Sequence, residues 1–368
     1  VKELIELVEA RARAIQVPHV VATVLRVEGS SYRRPGARML IDINGRVAGS
    51  VSGGCLEKAV VSQGRAALLD GRARLLSFDT TDQDDLAFGS SLGCFGKIWI
   101  GLEVMPAGQP WPLENIVREI RRRREPATLV TRIEGTAKDA RFASKAVFAG
   151  LDGPLREEIA EVLRTRKPLF VGDETMGSAL VEWLGPPVSV VLLGGGYDVP
   201  PLVRLARELG HEVTVIDRRP DFAVAENFPG ADRVVAAKPH EIAAHFRPDG
   251  LTVAVVMNHH YDTDRDALAA LLPLGLPYIA VLGPRRRTER LLAELAAEGH
   301  DVSEEVRHTI HGPAGLDIGA ETPEQIALAV LAEIQAGLAG RDGGKLRQRN
   351  APIHGEAPRE KPACPVPA

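Results

Sequence analysis

Aromatic residues are scarce in this chain, at 4% of 368 residues, so its interior has to be built from Leu, Val, Ile and Ala. Basic charge is not in excess. Lys and Arg number 45 against 49 Asp and Glu, for a net charge of −4, which argues against the basic face that nucleic acid requires. The arginine run at 121–124 reads as the solvated side of a helix. No apolar stretch reaches the roughly 18 residues of a membrane-spanning helix. The first residues mix Lys2, Glu3, Glu6 and Glu9 with Leu4, Leu7 and Val8, the pattern of an amphipathic helix and not of a signal peptide. There are three cysteines, an odd count with no C-x-x-C pair. That excludes a disulfide framework and a four-ligand structural zinc, and the expected compartment is a reducing cytoplasm.

What the chain has instead is glycine in motifs. Val51-Ser52-Gly53-Gly54-Cys55-Leu56-Glu57 precedes a segment, 56–69, with the pattern of a helix stopped at Gly71. About forty residues on comes Gly93-Cys94-Phe95-Gly96. A cysteine at the mouth of a helix, among free backbone N–H groups, is placed to hold an anion or to be held as a thiolate. The plainer alternative for Cys55 and Cys94 is a small buried hydrophobe beside a tight turn. Gly29-Ser30-Ser31-Tyr32-Arg33-Arg34-Pro35-Gly36-Ala37 is a polar loop whose hydroxyls and two arginines suit a phosphate, or equally a solvated turn. Around these, 20–27 reads as a buried strand and 97–104 as another. Residues 39–48 read as a hairpin turning at Asn44-Gly45 in the type I′ manner. Residues 78–85 read as a polar loop rich in oxygen donors, and 127–133 and 144–149 are strand-like with unclear register.

Gly185-Pro186-Pro187 is the expected boundary of a first domain, 1–187. From 188 to 339 strands alternate with helices, as in a Rossmann-like, doubly wound parallel sheet covered on both faces. The expected architecture is therefore α/β: an amino-terminal α/β domain with two Gly–Cys turns, then the Rossmann-like domain. Residues 340–368 lack apolar periodicity and read as a disordered tail. Thr322-Pro323-Glu324-Gln325 is a capping box with Pro at the first helical position.

In the second domain, Gly194-Gly195-Gly196-Tyr197-Asp198-Val199 follows a buried strand and opens a helix, with Val199 in place of the third fingerprint glycine. Asp217 ends the next strand, where a ribose acceptor belongs, and Arg218 and Arg219 leave room for a phosphorylated ribose. A nucleotide or pterin-nucleotide site and a scaffold that binds none both fit this imperfect motif. Asn258, His259 and His260 leave the fourth strand at the ligand edge, as hydrogen-bond donors, metal ligands or a helix-capping loop. Arg285, Arg286 and Arg287 read as a basic turn beside the same crevice, suited to a phosphate or simply solvated. His308 and His311 lie in a further loop placed to close over that edge.

Taken together, the cysteine motifs, the 29–37 loop, the glycine turn with Asp198 and Pro201, and Gly315-Leu316-Asp317-Ile318-Gly319-Ala320 resemble the XdhC/CoxI family over about residues 10–335. These are accessory proteins of molybdenum hydroxylases such as xanthine dehydrogenase and carbon monoxide dehydrogenase. The resemblance implies a chaperone that is a carrier more than a catalyst. It would hold the molybdopterin-type molybdenum cofactor, assist its sulfuration by a cysteine desulfurase-type donor, and deliver it to the apo-hydroxylase. It implies cofactor contacts at Cys55, Cys94, Gly53, Gly54, Arg33, Arg34, Gly194, Gly196, Asp198, Asp217, His259 and Arg286, with Cys55 and Cys94 facing molybdenum or its sulfur. Val199 and Asn258 depart from the expected pattern. A nucleotide or NAD(P) is a further expected ligand. The rival readings are an NAD(P)-dependent oxidoreductase built on the Rossmann-like domain and a scaffold that binds only protein. A symmetric dimer is the default assembly.

Overall fold

A computed structural model describes residues 2–29, 31–54, 56–79, 96–147, 155–173 and 177–350. The chain divides after Pro186 into two compact units. Among the described residues no helix is long and apolar enough to cross a membrane.

The first unit carries two antiparallel sheets. One is built from β1 (His19–Gly29), β2 (Arg38–Asp42), β3 (Gly45–Gly49), β4 (Arg74–Asp79) and β5 (Gly96–Met105), in the order β3-β2-β1-β5-β4. The other holds β6 (Ala127–Thr136), β7 (Asp139–Val147), β8 (Leu169–Asp173) and β9 (Gly177–Leu184), ordered β7-β6-β9-β8. Four helices accompany them: α1 (Lys2–Arg13), α2 (Glu57–Asp70), α3 (Pro112–Arg123) and α4 (Arg156–Thr165). The unbroken apolar run of β1 follows from its central place. Val20, Ala22 and Val24 pack with Val60 and Ala67 of α2, while Val21 joins Leu7 of α1 and Ile120 of α3 on the opposite face.

Between the sheets lies a buried ion pair. Arg38 donates to Glu182 through Nη1 at 2.9 Å and Nη2 at 2.5 Å. Glu103 of β5 faces the same guanidinium, and burial raises its carboxyl from the ordinary range to about 7 against the pull of Arg38.

The hairpin of β2 and β3 forms, but its turn is not type I′, because Asn44 does not take positive φ. Asp42 Oδ1 instead accepts from the amides of Asn44 at 2.7 Å and Gly45 at 2.9 Å, an Asx turn that sets the bend. Phe78 and Asp79 belong to β4, not to a loop. The rest of that loop lies outside the described residues, as do Cys55 and Cys94. Helix α2 does stop at Gly71, which adopts φ 69°.

The second unit is one parallel sheet of six strands: β10 (Ser189–Leu193), β11 (Glu212–Asp217), β12 (Arg233–Ala236), β13 (Thr252–Val256), β14 (Tyr278–Val281) and β15 (Ile310–His311). The order β12-β11-β10-β13-β14-β15 reverses direction between β10 and β13. Helices α5 (Val199–Glu208) and α9 (Pro323–Leu338) cover one face, and α6 (Tyr261–Leu271) and α7 (Arg285–Ala297) the other. A short α8 (Glu304–His308) leads into β15. Successive residues of β10 alternate between the two cores: Val190 and Leu192 to one, Val191 and Leu193 to the other. Thr322 and Gln325 form the expected capping box of α9.

Two segments differ from the sequence reading. Arg285–Arg287 are not a basic turn but the first turn of α7, where Arg285 pairs with Glu289 at 2.8 Å and Arg287 with Asp264 at 2.6 Å. His311 is not in a free loop. It stacks on Tyr278 at 4.1 Å between centroids and lies 3.1 Å from Glu333, while His308 ends α8. Of the tail, residues 340–350 are described and include a 3₁₀ turn at Leu346–Gln348. The remainder lies outside the described residues.

Candidate functional site

In the first unit, the turn after β3 is tied down from both sides of position 55. Ser52 Oγ accepts from the amides of Gly54 at 3.2 Å and Leu56 at 3.1 Å. The Glu57 carboxylate, in the first turn of α2, accepts from Ser52 N at 3.0 Å, from Ser52 Oγ and from Ser50 Oγ at 2.8 Å. Burial opposes the charge on Glu57, yet these hydrogen bonds outweigh it and hold the carboxyl below its usual range. Gly54 needs to be glycine for its φ of 112°, and among the described residues nothing stands within 4 Å of its Cβ position.

The 31–37 loop comes to this turn. The ring of Tyr32 lies 3.2 Å from where a Gly53 Cβ would stand. Arg33 is committed to Glu3 by a two-point ion pair, at 2.9 Å through Nη1 and more closely through Nη2. Arg34 beside it is exposed. Thus Arg33, Arg34, Gly53 and Gly54 belong to two adjoining segments of one unit. The Ser52–Glu57 clasp went unread in the sequence, although a serine five positions before a glutamate at a helix start was a visible signal.

In the second unit the strand ends at the point of reversal form a crevice. Gly194 has φ 130°, and a Cβ there would stand 2.5 Å from the Met257 carbonyl oxygen, so β10 and β13 close together only with glycine here. Gly196 likewise leaves room for Asp198, whose Oδ1 lies 2.7 Å from its Cβ position. Asp198 precedes α5 and is nearly buried; its Oδ2 lies 2.7 Å from His259 Nε2, while Oδ1 has no partner. His259 adopts φ 56°, the strained left-handed region, to make this contact. Its neighbour His260 caps α6, with Nδ1 accepting from Thr263 N. The two histidines that the sequence left equivalent have therefore different work. Asn258 is held by Asp264 through its backbone N at 3.0 Å and Nδ2 at 2.9 Å.

Asp217 is fully buried at the end of β11, and its four acceptor directions are taken. Oδ1 accepts from Arg219 N at 2.8 Å and Nε at 2.9 Å; Oδ2 accepts from Gly195 N and Arg219 Nη2, both at 2.7 Å. Burial opposes its charge, but these bonds keep the carboxyl below the usual range. The Arg219 guanidinium is steadied by the Phe222 ring, 3.5 Å from its centroid. While Arg219 stays there, Asp217 has no direction left for a ribose hydroxyl. The space enclosed at these strand ends by residues such as Leu193, Ile216 and Asn258 is only about 10 Å³, no more than one water's worth. Arg286 is exposed on α7. Among the described residues there is no cluster of three or more His, Cys, Asp or Glu side chains able to hold a metal.

Known proteins resemble both units. Residues 190–334 match the model of the XdhC Rossmann domain, and residues 12–79 match that of the XdhC and CoxI family. A probable xanthine dehydrogenase subunit from Bacillus subtilis (strain 168) is 33% identical over 320 residues, covering 86% of this chain and 92% of the relative. The molybdenum cofactor insertion chaperone PaoD of Escherichia coli (strain K12) is 22% identical, over 86% of this chain and 82% of its own. The crystal structure of a xanthine dehydrogenase from Bacillus halodurans superposes with a TM-score of 0.73 at 28% identity, covering 95% of this chain and 98% of that one.

Proposed function

Since the chain belongs to the XdhC and CoxI family, we propose that it is an accessory protein of a molybdenum hydroxylase, a carrier that takes up molybdopterin-type cofactor, assists its sulfuration and hands it to the apo-enzyme. The observation that carries this reading is the meeting of the 31–37 loop with the Gly53-Gly54 turn, fixed by the Ser52–Glu57 clasp. It brings a loop carrying the exposed Arg34 against a glycine turn that leads in sequence into Cys55, residue types that a phosphorylated, sulfur-rich guest calls for. The guest supplies molybdenum, a dithiolene and a phosphate. In this reading Arg34 and the amide of Gly53 receive the phosphate, Gly54 shapes the turn with its amide given to Ser52, Arg33 braces the loop through Glu3, and the thiolates of Cys55 and Cys94 face molybdenum or its sulfur.

The second unit has a candidate surface of its own in Gly194, Gly196, Asp198 and His259, suited to a nucleotide, with Arg286 outside it. Asp217 serves there as the anchor of Arg219. The saturation of its carboxylate lends no support to a nicotinamide-dependent oxidoreductase.

Protein purified from a molybdenum-replete host is expected to release molybdopterin in near one-to-one amount, identified by mass spectrometry. Cys55→Ser and Cys94→Ser should reduce that amount and lower hydroxylase activity in cells. A wild-type chain that takes up no pterin under anaerobic reconstitution would overturn the proposal.

A further inference from the structure

The two sheets of the first unit enclose a cavity of about 340 Å³ that neither the cysteine motifs nor the Rossmann-like crevice accounts for. That volume falls in the range of small-molecule sites, and it is far larger than the space at the β10–β13 strand ends. Its walls are Trp99, Phe170, Leu25 and Ile133, with the residues Ser77 and Ser178 beside them. The last two apolar residues are buried, whereas Trp99 and Phe170 are half-exposed and present ring surface to the space.

The charge around it is balanced, two cations against two carboxylates. The Arg26 guanidinium sits 4.9 Å from the centroid of the Trp99 ring, and the Lys97 ammonium 5.3 Å from it. The carboxylates beside these cations are Glu28, paired with Arg26, and Asp79, opposite Lys97 in the ladder. Arg26, Trp99 and Ser77 form a single cross-strand row through β1, β5 and β4. That row lies three positions from the Gly29–Gly96 pair, or about 10 Å along the strand. From that end of the sheet the chain runs into the 31–37 loop.

Aromatic and aliphatic walls with hydroxyls beside them together select a flat ring that carries hydrogen-bonding groups. We propose that this cavity binds a planar heteroaromatic ring, seating it against Trp99 and Phe170 with its polar edge toward Ser77 and Ser178. Under the accessory role proposed above, on which this identification rests, the ring is the pterin of the guest.

The test uses 6-carboxypterin, followed by its own fluorescence anisotropy with the full chain. Saturable binding is expected. Ser77→Phe fills the cavity from an exposed strand position and Trp99→Ala removes its wall; each should weaken binding tenfold or more. The proposal is overturned if the wild-type chain shows no saturable binding, or if Ser77→Phe and Trp99→Ala bind like wild type. Molybdopterin content of the same proteins from molybdenum-replete cells separates the two ideas. Equal content in wild type and Ser77→Phe rejects the cavity and keeps the accessory role. Cavity-dependent 6-carboxypterin binding without any co-purified molybdopterin rejects the accessory role and keeps the cavity.

Discussion

Glu103 is expected to make the protein less stable as pH rises through neutrality. Its carboxyl, on the inner side of β5, titrates at about 7 when folded against 4.5 in the ordinary state. The folded form therefore holds a proton that the unfolded chain has already released. The stabilisation is complete below about pH 4.5, declines as pH rises, and is gone once pH passes about 7. The size of the effect is roughly 3 kcal/mol between those limits. Glu103→Gln keeps the shape of the neutral acid and cannot ionise. At pH 5 the variant and parent should unfold at nearly the same denaturant concentration. At pH 8 the variant should be more stable by up to about 3 kcal/mol, a rise of several degrees in melting temperature. Chemical and thermal unfolding across pH 4.5–8.5 measures this difference directly, because every other titrating group cancels between the two proteins. Parallel stability curves, or a variant that is weaker at pH 8, would refute the reasoning.

Three further outcomes are expected. Arg219→Ala takes both guanidinium hydrogen bonds from the buried Asp217 carboxylate and should cost about 1–3 kcal/mol at pH 7, read by denaturant unfolding. Because Asp217 is held below its usual range, that cost should shrink as pH falls through its folded pKa. Glu57→Ala unties the turn before α2 and should cost about 1–3 kcal/mol at neutral pH, with faster amide hydrogen exchange at Gly54 and Leu56 as the local readout. Gly194→Ala drives a methyl to 2.5 Å from the Met257 carbonyl and should destabilise the second unit by about 2–4 kcal/mol, visible as a lower melting temperature; an unchanged melting temperature would contradict the close approach of β10 and β13.

The second unit was legible in the sequence because its signals are local. The run Val190–Leu193 is apolar throughout and buried on both faces, a glycine turn follows it, and Pro200 and Gly210 bracket α5. The first unit was legible only in pieces. β1 and β5 pair across 67–86 residues of chain, and β6 pairs with β9 across 45–57, so no short window reports either register. β6 and β7 also carry Thr131, Arg132, Glu134 and Arg141, which blur their alternation. At the candidate sites the glycines were legible, since their backbone demands are written in residue type. The contacts were not: Asp198 meets His259 across 61 positions, and Arg219 folds back on Asp217 by a rotamer choice that spacing cannot state.

The Arg38–Glu182 pair has a bearing on how the chain can be cut and made. Its partners come from opposite ends of the first unit. Residues 12–79, the stretch that matches the family's amino-terminal model, contain the cation without its counter-ion. Stripping one member from a buried ion pair typically costs about 3–5 kcal/mol, so a fragment ending before β9 lacks the carboxylate that holds Arg38 in place. A fragment meant to keep this pair must therefore run through position 182, well past the recognisable first half of the unit.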